Sequence, residues 1–87
     1  MKTIFFGAGK IGQRALKMWK RTGICPDLFL DNCGEKDGTY IDGVEVHSFE
    51  NYWHGIAAAD QIYITCRDTE IIEAQLLKCG GSGNIHI

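Results

Sequence analysis

Three glycines, Gly7, Gly9 and Gly12 in the run Gly7-Ala8-Gly9-Lys10-Ile11-Gly12, are the residues whose types and spacing could do chemistry, and that chemistry is anion capture. Gly7 permits a tight turn. Gly9 removes the side chain that would keep a pyrophosphate from the backbone, and Gly12 lets the following helix pack closely on a sheet. Free N–H groups in the first helical turn would then face the anion. The pattern alone is weak, and its context strengthens it. It lies between a predicted strand and a predicted helix, and Asp31 follows Gly12 by 19 residues, where a ribose-binding acid belongs. A carboxylate accepting both ribose hydroxyls favours NAD over NADP, because a 2′-phosphate would meet like charge and no arginine stands just after Asp31. Ala8, Lys10, Ile11 and Asn32, with Thr65, Cys66 and Arg67 at the end of a later strand, complete the expected lining of the crevice. Plainer readings stand beside these: a glycine turn that only packs, a strand-end acid at Asp31, a solvated Lys10 and a surface ion pair at Arg67.

The elements that must position these residues follow from periodicity. Lys2 to Phe6 is a short run apolar on both faces, which suits a buried parallel strand. From Lys10 to Thr22 the residues Ile11, Ala15, Met18, Trp19 and Thr22 recur at helical steps, which predicts them on the inner face, and Gly23 stops the helix. Asp27 to Asp31 is a second strand, closing a βαβ unit. Residues 35–43 read as polar and irregular, Val44–Val46 as a short strand, and Ser48 as the cap of a short helix over residues 49–54. Asp60–Thr65 is a stronger strand. Asp68 or Thr69 caps a last helix with Ile71, Ile72, Leu76 and Cys79 inward and Gly80 at its end, and Asn84–Ile87 is a final strand. Alternating strands and helices with right-handed crossovers give an α/β, three-layer fold: a single Rossmann-like half over residues 1–87, a parallel sheet of about five strands in the order 3-2-1-4-5 with helices on both faces.

A chain of 87 residues supports one core, and 45% hydrophobic with 23% charged residues is a globular balance. No run is long and apolar enough for a membrane span, and the N-terminus does not read as a signal peptide, so the expectation is a soluble, cytoplasmic protein without a membrane partner. Cys25, Cys33, Cys66 and Cys79 form no CxxC and read as reduced thiols; with His47, His54 and His86 they match no zinc spacing, so no metal site is expected. Residues 1–26 hold six bases and no acid, while the rest of the chain holds three bases and all eleven acids. The basic segment coincides with one helix and lacks aromatic interleaving, which argues for a solvated face or an anion site and against nucleic acid. Catalytic signatures are missing. Tyr40, Tyr52 and Tyr63 are followed four residues on by Val44, Ile56 and Arg67 where a Tyr-x-x-x-Lys pair needs lysine, and neither a P-loop nor a Gly-x-Ser-x-Gly elbow occurs. No catalytic residue is assigned.

The runs from Phe5 to Ala15, Leu28 to Asn32, Ile41 to Val46 and Asp60 to Thr65 together resemble small Rossmann domains of the NAD(P)-binding or CoA-binding type. Such domains occur in redox-sensing repressors of the Rex type and at the start of bacterial polysaccharide-biosynthesis and nucleotide-sugar-modifying proteins. The resemblance implies that Gly7, Gly9 and Gly12 meet a pyrophosphate, Asp31 the adenosine ribose, and the segment near Thr65 the far side of the ligand. It implies a fold and a ligand class, not a reaction, and neither a winged helix nor a second nucleotide-binding half is present. Three functions stay open: a nucleotide-binding module of a sugar-modifying or redox-responsive protein, half of an NAD-dependent oxidoreductase or epimerase acting on a nucleotide sugar, and an interaction domain with a vestigial glycine loop. A sheet ending at Ile87 leaves an unpaired edge, which predicts a homodimer or a companion domain.

Overall fold

The computed structural model describes residues 1–79 and 83–86. The elements are β1 (Thr3–Phe6), α1 (Lys10–Arg21), β2 (Leu28–Asp31), β3 (Tyr40–Ile41), β4 (Val44–Ser48), α2 (Phe49–Tyr52), β5 (Gln61–Ile64), α3 (Thr69–Lys78) and β6 (Asn84–His86), with single 3-10 turns at Gly34–Lys36 and Trp53–Gly55. One six-stranded sheet runs β3-β4-β2-β1-β5-β6. Every neighbouring pair is parallel except the β3–β4 hairpin. The parallel strands therefore stand in the expected order, with β3 added at one edge. The predicted ends of the last helix at Gly80 and the last strand at Ile87 lie outside the described residues.

Because successive side chains of a strand point to opposite faces, the apolar strands build two cores. On one face Ile4, Phe6, Leu28, Leu30, Ile62 and Ile64 pack against Phe49, Ile72 and Leu76 of α2 and α3. On the other, Phe5, Phe29 and Val46 pack against Leu16 of α1, with Trp19 and Tyr63 at the margin. Phe5 meets Trp19 edge-on with centroids 4.8 Å apart, and Trp19 meets Tyr63 at the same distance, so three rings tie α1 to the sheet.

The inner face of α1 differs from the expected one. Gly12 and Leu16 are its buried residues, while Met18 is 66% and Ile11 42% exposed. The helix is rotated because Gly12 must face the sheet at close approach; Leu16 and Trp19 follow on that line, and Ile11, Met18 and Thr22 lie roughly a quarter turn away. Gly23 ends α1 as expected, with φ +79°. Its N–H donates to Lys20 and that of Ile24 to Trp19, a Schellman arrangement. In α3, Ile72 and Leu76 are buried, but Ile71 is exposed, and so is Cys79, which lies past the last turn. Ser48 and Asp68 occupy the N-cap positions of α2 and α3 without a side-chain cap bond.

Residues 35–43 are more ordered than expected. Tyr40–Ile41 pairs antiparallel with Val44–Glu45 around Asp42-Gly43, whose φ angles are +48° and +83°. An Asp-Gly flanked by apolar residues is the signal for a two-residue hairpin, and it is legible in the sequence. Among the described residues no helix is long and apolar enough to cross a membrane.

Candidate functional site

β1 ends in Phe6 and the chain turns at Gly7, whose φ of +128° is open to glycine alone. The turn is clamped on both sides: Gly7 N–H donates to Leu30 O at 2.8 Å, and the Thr65 hydroxyl donates to Gly7 O at 2.8 Å. A Cβ at Gly7 would stand 2.5 Å from the Thr65 carbonyl oxygen. A Cβ at Gly12 would collide with the Gly7 oxygen and lie 3.2 Å from the Phe29 ring. Gly7 and Gly12 are thus fixed by packing. Gly9 is different, because a Cβ there meets nothing within 4 Å. Space lies open over Gly9, the N-cap of α1, at the helix end where the N–H groups of Lys10, Ile11 and Gly12 precede the first intrahelical bond, Gln13 N–H to Gly9 O. The first turn carries no acid. With the helix dipole, this is the geometry that accepts an anion.

Asp31 ends β2 beside this turn. Its Oδ2 accepts the Ala8 N–H at 2.8 Å and its Oδ1 the Cys33 N–H at 2.8 Å, with Lys36 Nζ 3.9 Å from Oδ2. The carboxylate is therefore anchored to the glycine turn. Each of its oxygens keeps acceptor capacity for a hydroxyl. A cleft of about 180 Å³ lies alongside, lined by Phe6, Gly7, Asp31, Asn32, Cys66, Asp68 and Ile72. It sits at the carboxyl ends of β1, β2 and β5, where α1 carries the chain from β1 to β2 while β5 pairs on the other side, the switch point at which open α/β sheets place ligands. Its lining holds two carboxylates and no cation, so it suits a neutral, hydroxyl-bearing group, and an anionic group belongs over Gly9.

The other expected residues divide. Asn32 and Cys66 line the cleft. Burial pushes the Cys66 thiol up, which disfavours a reactive thiolate. Thr65 is buried and its hydroxyl holds the turn. Arg67 lines an adjoining hollow of about 290 Å³ with Asp68, Thr69, Glu70 and Ile71. Lys10 and Ile11 lie at the exposed start of α1. Sequence reasoning missed Phe6, Asp68 and Ile72 in the cleft, and Gln75, whose side chain pairs with Asn32. The signal was the helical step from Asp68 to Ile72 to Gln75, which puts all three along one side of α3.

No known family profile matches the chain, and no curated protein matches it. Among solved structures it is similar to UDP-D-quinovosamine 4-dehydrogenase from Vibrio fischeri, at 18% identity and a TM-score of 0.64, over 97% of this chain and 74% of that one. It is also similar to the Rex-family repressor RSP, at 21% identity and a TM-score of 0.66, in a structure with beta-NAD+ and operator DNA; 97% of this chain matches 48% of that one. A second structure of RSP gives the same identity and score over 50% of its chain. The chain thus spans about half the length of the repressor. These likenesses establish the Rossmann-like fold.

Proposed function

We propose that this chain is a nucleotide-binding Rossmann module that takes an NAD-like dinucleotide, serving as an accessory or regulatory domain of a sugar-modifying or redox-responsive protein. The observation that carries the reading is the contrast among the three glycines. Two are closed by packing, and the one that packing does not require, Gly9, opens on a helix N-terminus. A turn kept only for stability has no use for that opening. The pyrophosphate would lie over Gly9 against the N–H groups of Lys10 to Gly12, and the adenosine ribose against Asp31. Asp31 and Asp68 favour NAD over NADP by repelling a 2′-phosphate. The matched structures include a complex with beta-NAD+, in line with this ligand class. No general acid, base or nucleophile is part of the proposal, and neither is nucleic acid. A companion domain or second copy of the chain is, because the outer edge of β6 has no strand partner among the described residues.

The test is an amide NMR titration with NAD, NADP, AMP, CoA and UDP-glucose at millimolar concentration. Shifts at Gly9, Gly12 and Asp31, larger with NAD than with NADP, are expected. Silence of those amides across the panel would leave the glycine turn as packing and the chain as an interaction domain.

A further inference from the structure

Asn32 and Gln75 pair reciprocally: Asn32 Nδ2 donates to Gln75 Oε1 at 3.0 Å, and Gln75 Nε2 donates to Asn32 Oδ1 at 2.8 Å. The reciprocity fixes the two amides relative to each other, since flipping one alone would set nitrogen against nitrogen and oxygen against oxygen. A carboxamide carries donor and acceptor side by side on one edge, and each partner here spends that edge on the other. The same edge is the one with which an asparagine or glutamine makes two bonds to a nucleobase. Asn32 also lines the cleft, directly after Asp31, and Gln75 lies on α3 one step beyond Ile72, the cleft's aliphatic wall. The pair therefore links the two elements that flank the cleft. At about 180 Å³ the cleft is smaller than the roughly 300 Å³ at which ligand pockets begin.

We infer that Asn32 is the base-reading residue of the site and that Gln75 occupies its reading edge until a nucleobase replaces it. This rests on the nucleotide reading above and names what that site recognises: a base presenting a donor beside an acceptor, adenine in the first instance. The exchange is balanced, because two amide bonds are given up and two are formed. Removing Gln75 leaves Asn32 paired with water alone, so the base no longer competes with an intramolecular partner. Gln75→Ala sits on a half-buried helical position where alanine is a better helix former than glutamine, so the fold is retained.

The experiment measures binding of AMP, UMP and purine riboside 5′-monophosphate, which lacks the 6-amino donor, to the chain and to its Gln75→Ala and Asn32→Ala variants. The amide resonances of Gly9 and Gly12 are followed throughout, and the side-chain amide of Asn32 in the unaltered chain and in Gln75→Ala. Gln75→Ala is expected to bind AMP about fivefold more tightly, with a smaller gain for the purine monophosphate, which offers Asn32 one hydrogen-bond partner instead of two. Asn32→Ala is expected to bind the two purines alike. A gain for UMP instead of AMP in Gln75→Ala assigns the edge to uracil, with the same donor–acceptor chemistry, and counts against the NAD-like ligand. Gln75→Ala affinities equal to or weaker than those of the unaltered chain, while Gly9 and Gly12 still respond, overturn the inference and leave the nucleotide reading standing. Silence of Gly9 and Gly12 with every ligand removes both.

Discussion

Alanine at Gly12 and alanine at Gly9 are the same chemical change three residues apart, and the structure assigns them opposite consequences. At Gly12 the added Cβ collides with the Gly7 carbonyl oxygen, lies 3.0 Å from the carbonyl carbon and meets the Phe29 ring at 3.2 Å. That carbonyl cannot swing aside, because the Thr65 hydroxyl holds it at 2.8 Å. The start of α1 must lift instead, loosening the contact of Leu16 with the sheet. Overpacking of this kind costs about 1–3 kcal/mol, and the better helix propensity of alanine returns up to about 1. With backbone as the obstacle, the expected net loss is about 2 kcal/mol, a fall of roughly 8–16 °C in Tm for a domain of this size. At Gly9 the backbone angles, φ −83° and ψ −159°, are open to any residue, and no atom lies within 4 Å of the new Cβ. A weaker N-cap and a stiffer unfolded chain nearly cancel there, leaving a change within about 0.5 kcal/mol. Urea unfolding followed by tryptophan fluorescence reads both variants, because Trp19 is packed on Phe5. Gly9→Val then completes the test: it should keep the fold and lose the NAD-induced shifts. Equal destabilisation at Gly9 and Gly12, or NAD binding by Gly9→Val at the strength of the unaltered chain, would refute the reasoning.

Asp60 is buried, and its carboxylate accepts N–H bonds from Lys2 at 2.8 Å and Ala57 at 2.9 Å. Burial opposes its ionisation, yet these bonds outweigh it and hold the group below its ordinary value of 3.8. A depressed folded value means that its contribution is present above the unfolded value and is lost as pH falls through the folded one. Stability should therefore decline below about pH 4, and Asp60→Asn should lose about 1–3 kcal/mol at neutral pH and flatten that decline, as urea midpoints across pH will show. Asp31→Asn should raise the affinity for NADP relative to NAD by about tenfold, and an unchanged ratio in calorimetry would take the acid away from the ribose. Leu16→Ala should cost about 2–5 kcal/mol, whereas Met18→Ala should stay within about 0.5, a contrast that thermal unfolding resolves.

The βαβ unit, the order of the parallel strands and the glycine turn with its downstream acid were all legible in the chain, because each is encoded by local pattern. Buried parallel strands must be apolar on both faces, crossovers have one hand, and a positive φ leaves its mark as glycine. The β3–β4 hairpin was legible too, in Asp42-Gly43, but the two residues of β3, Tyr40 and Ile41, were too few for periodicity to register.

What only the tertiary structure decided is how the pieces meet. Periodicity gives a helix an apolar stripe, but the turn before α1 sets its rotation: Gly12 must approach the Gly7 carbonyl, which brings Leu16 inward and leaves Met18 outside. The glycines look alike in the sequence, and only the neighbouring backbone and rings separate two that packing requires from one that opens on the helix end. Gln75 carries no motif and stands 43 residues from Asn32, so their pairing arises from the position of α3 beside the end of β2. Local sequence fixes backbone angles and apolar faces; a site made of side chains from distant elements depends on packing distances that no single segment contains.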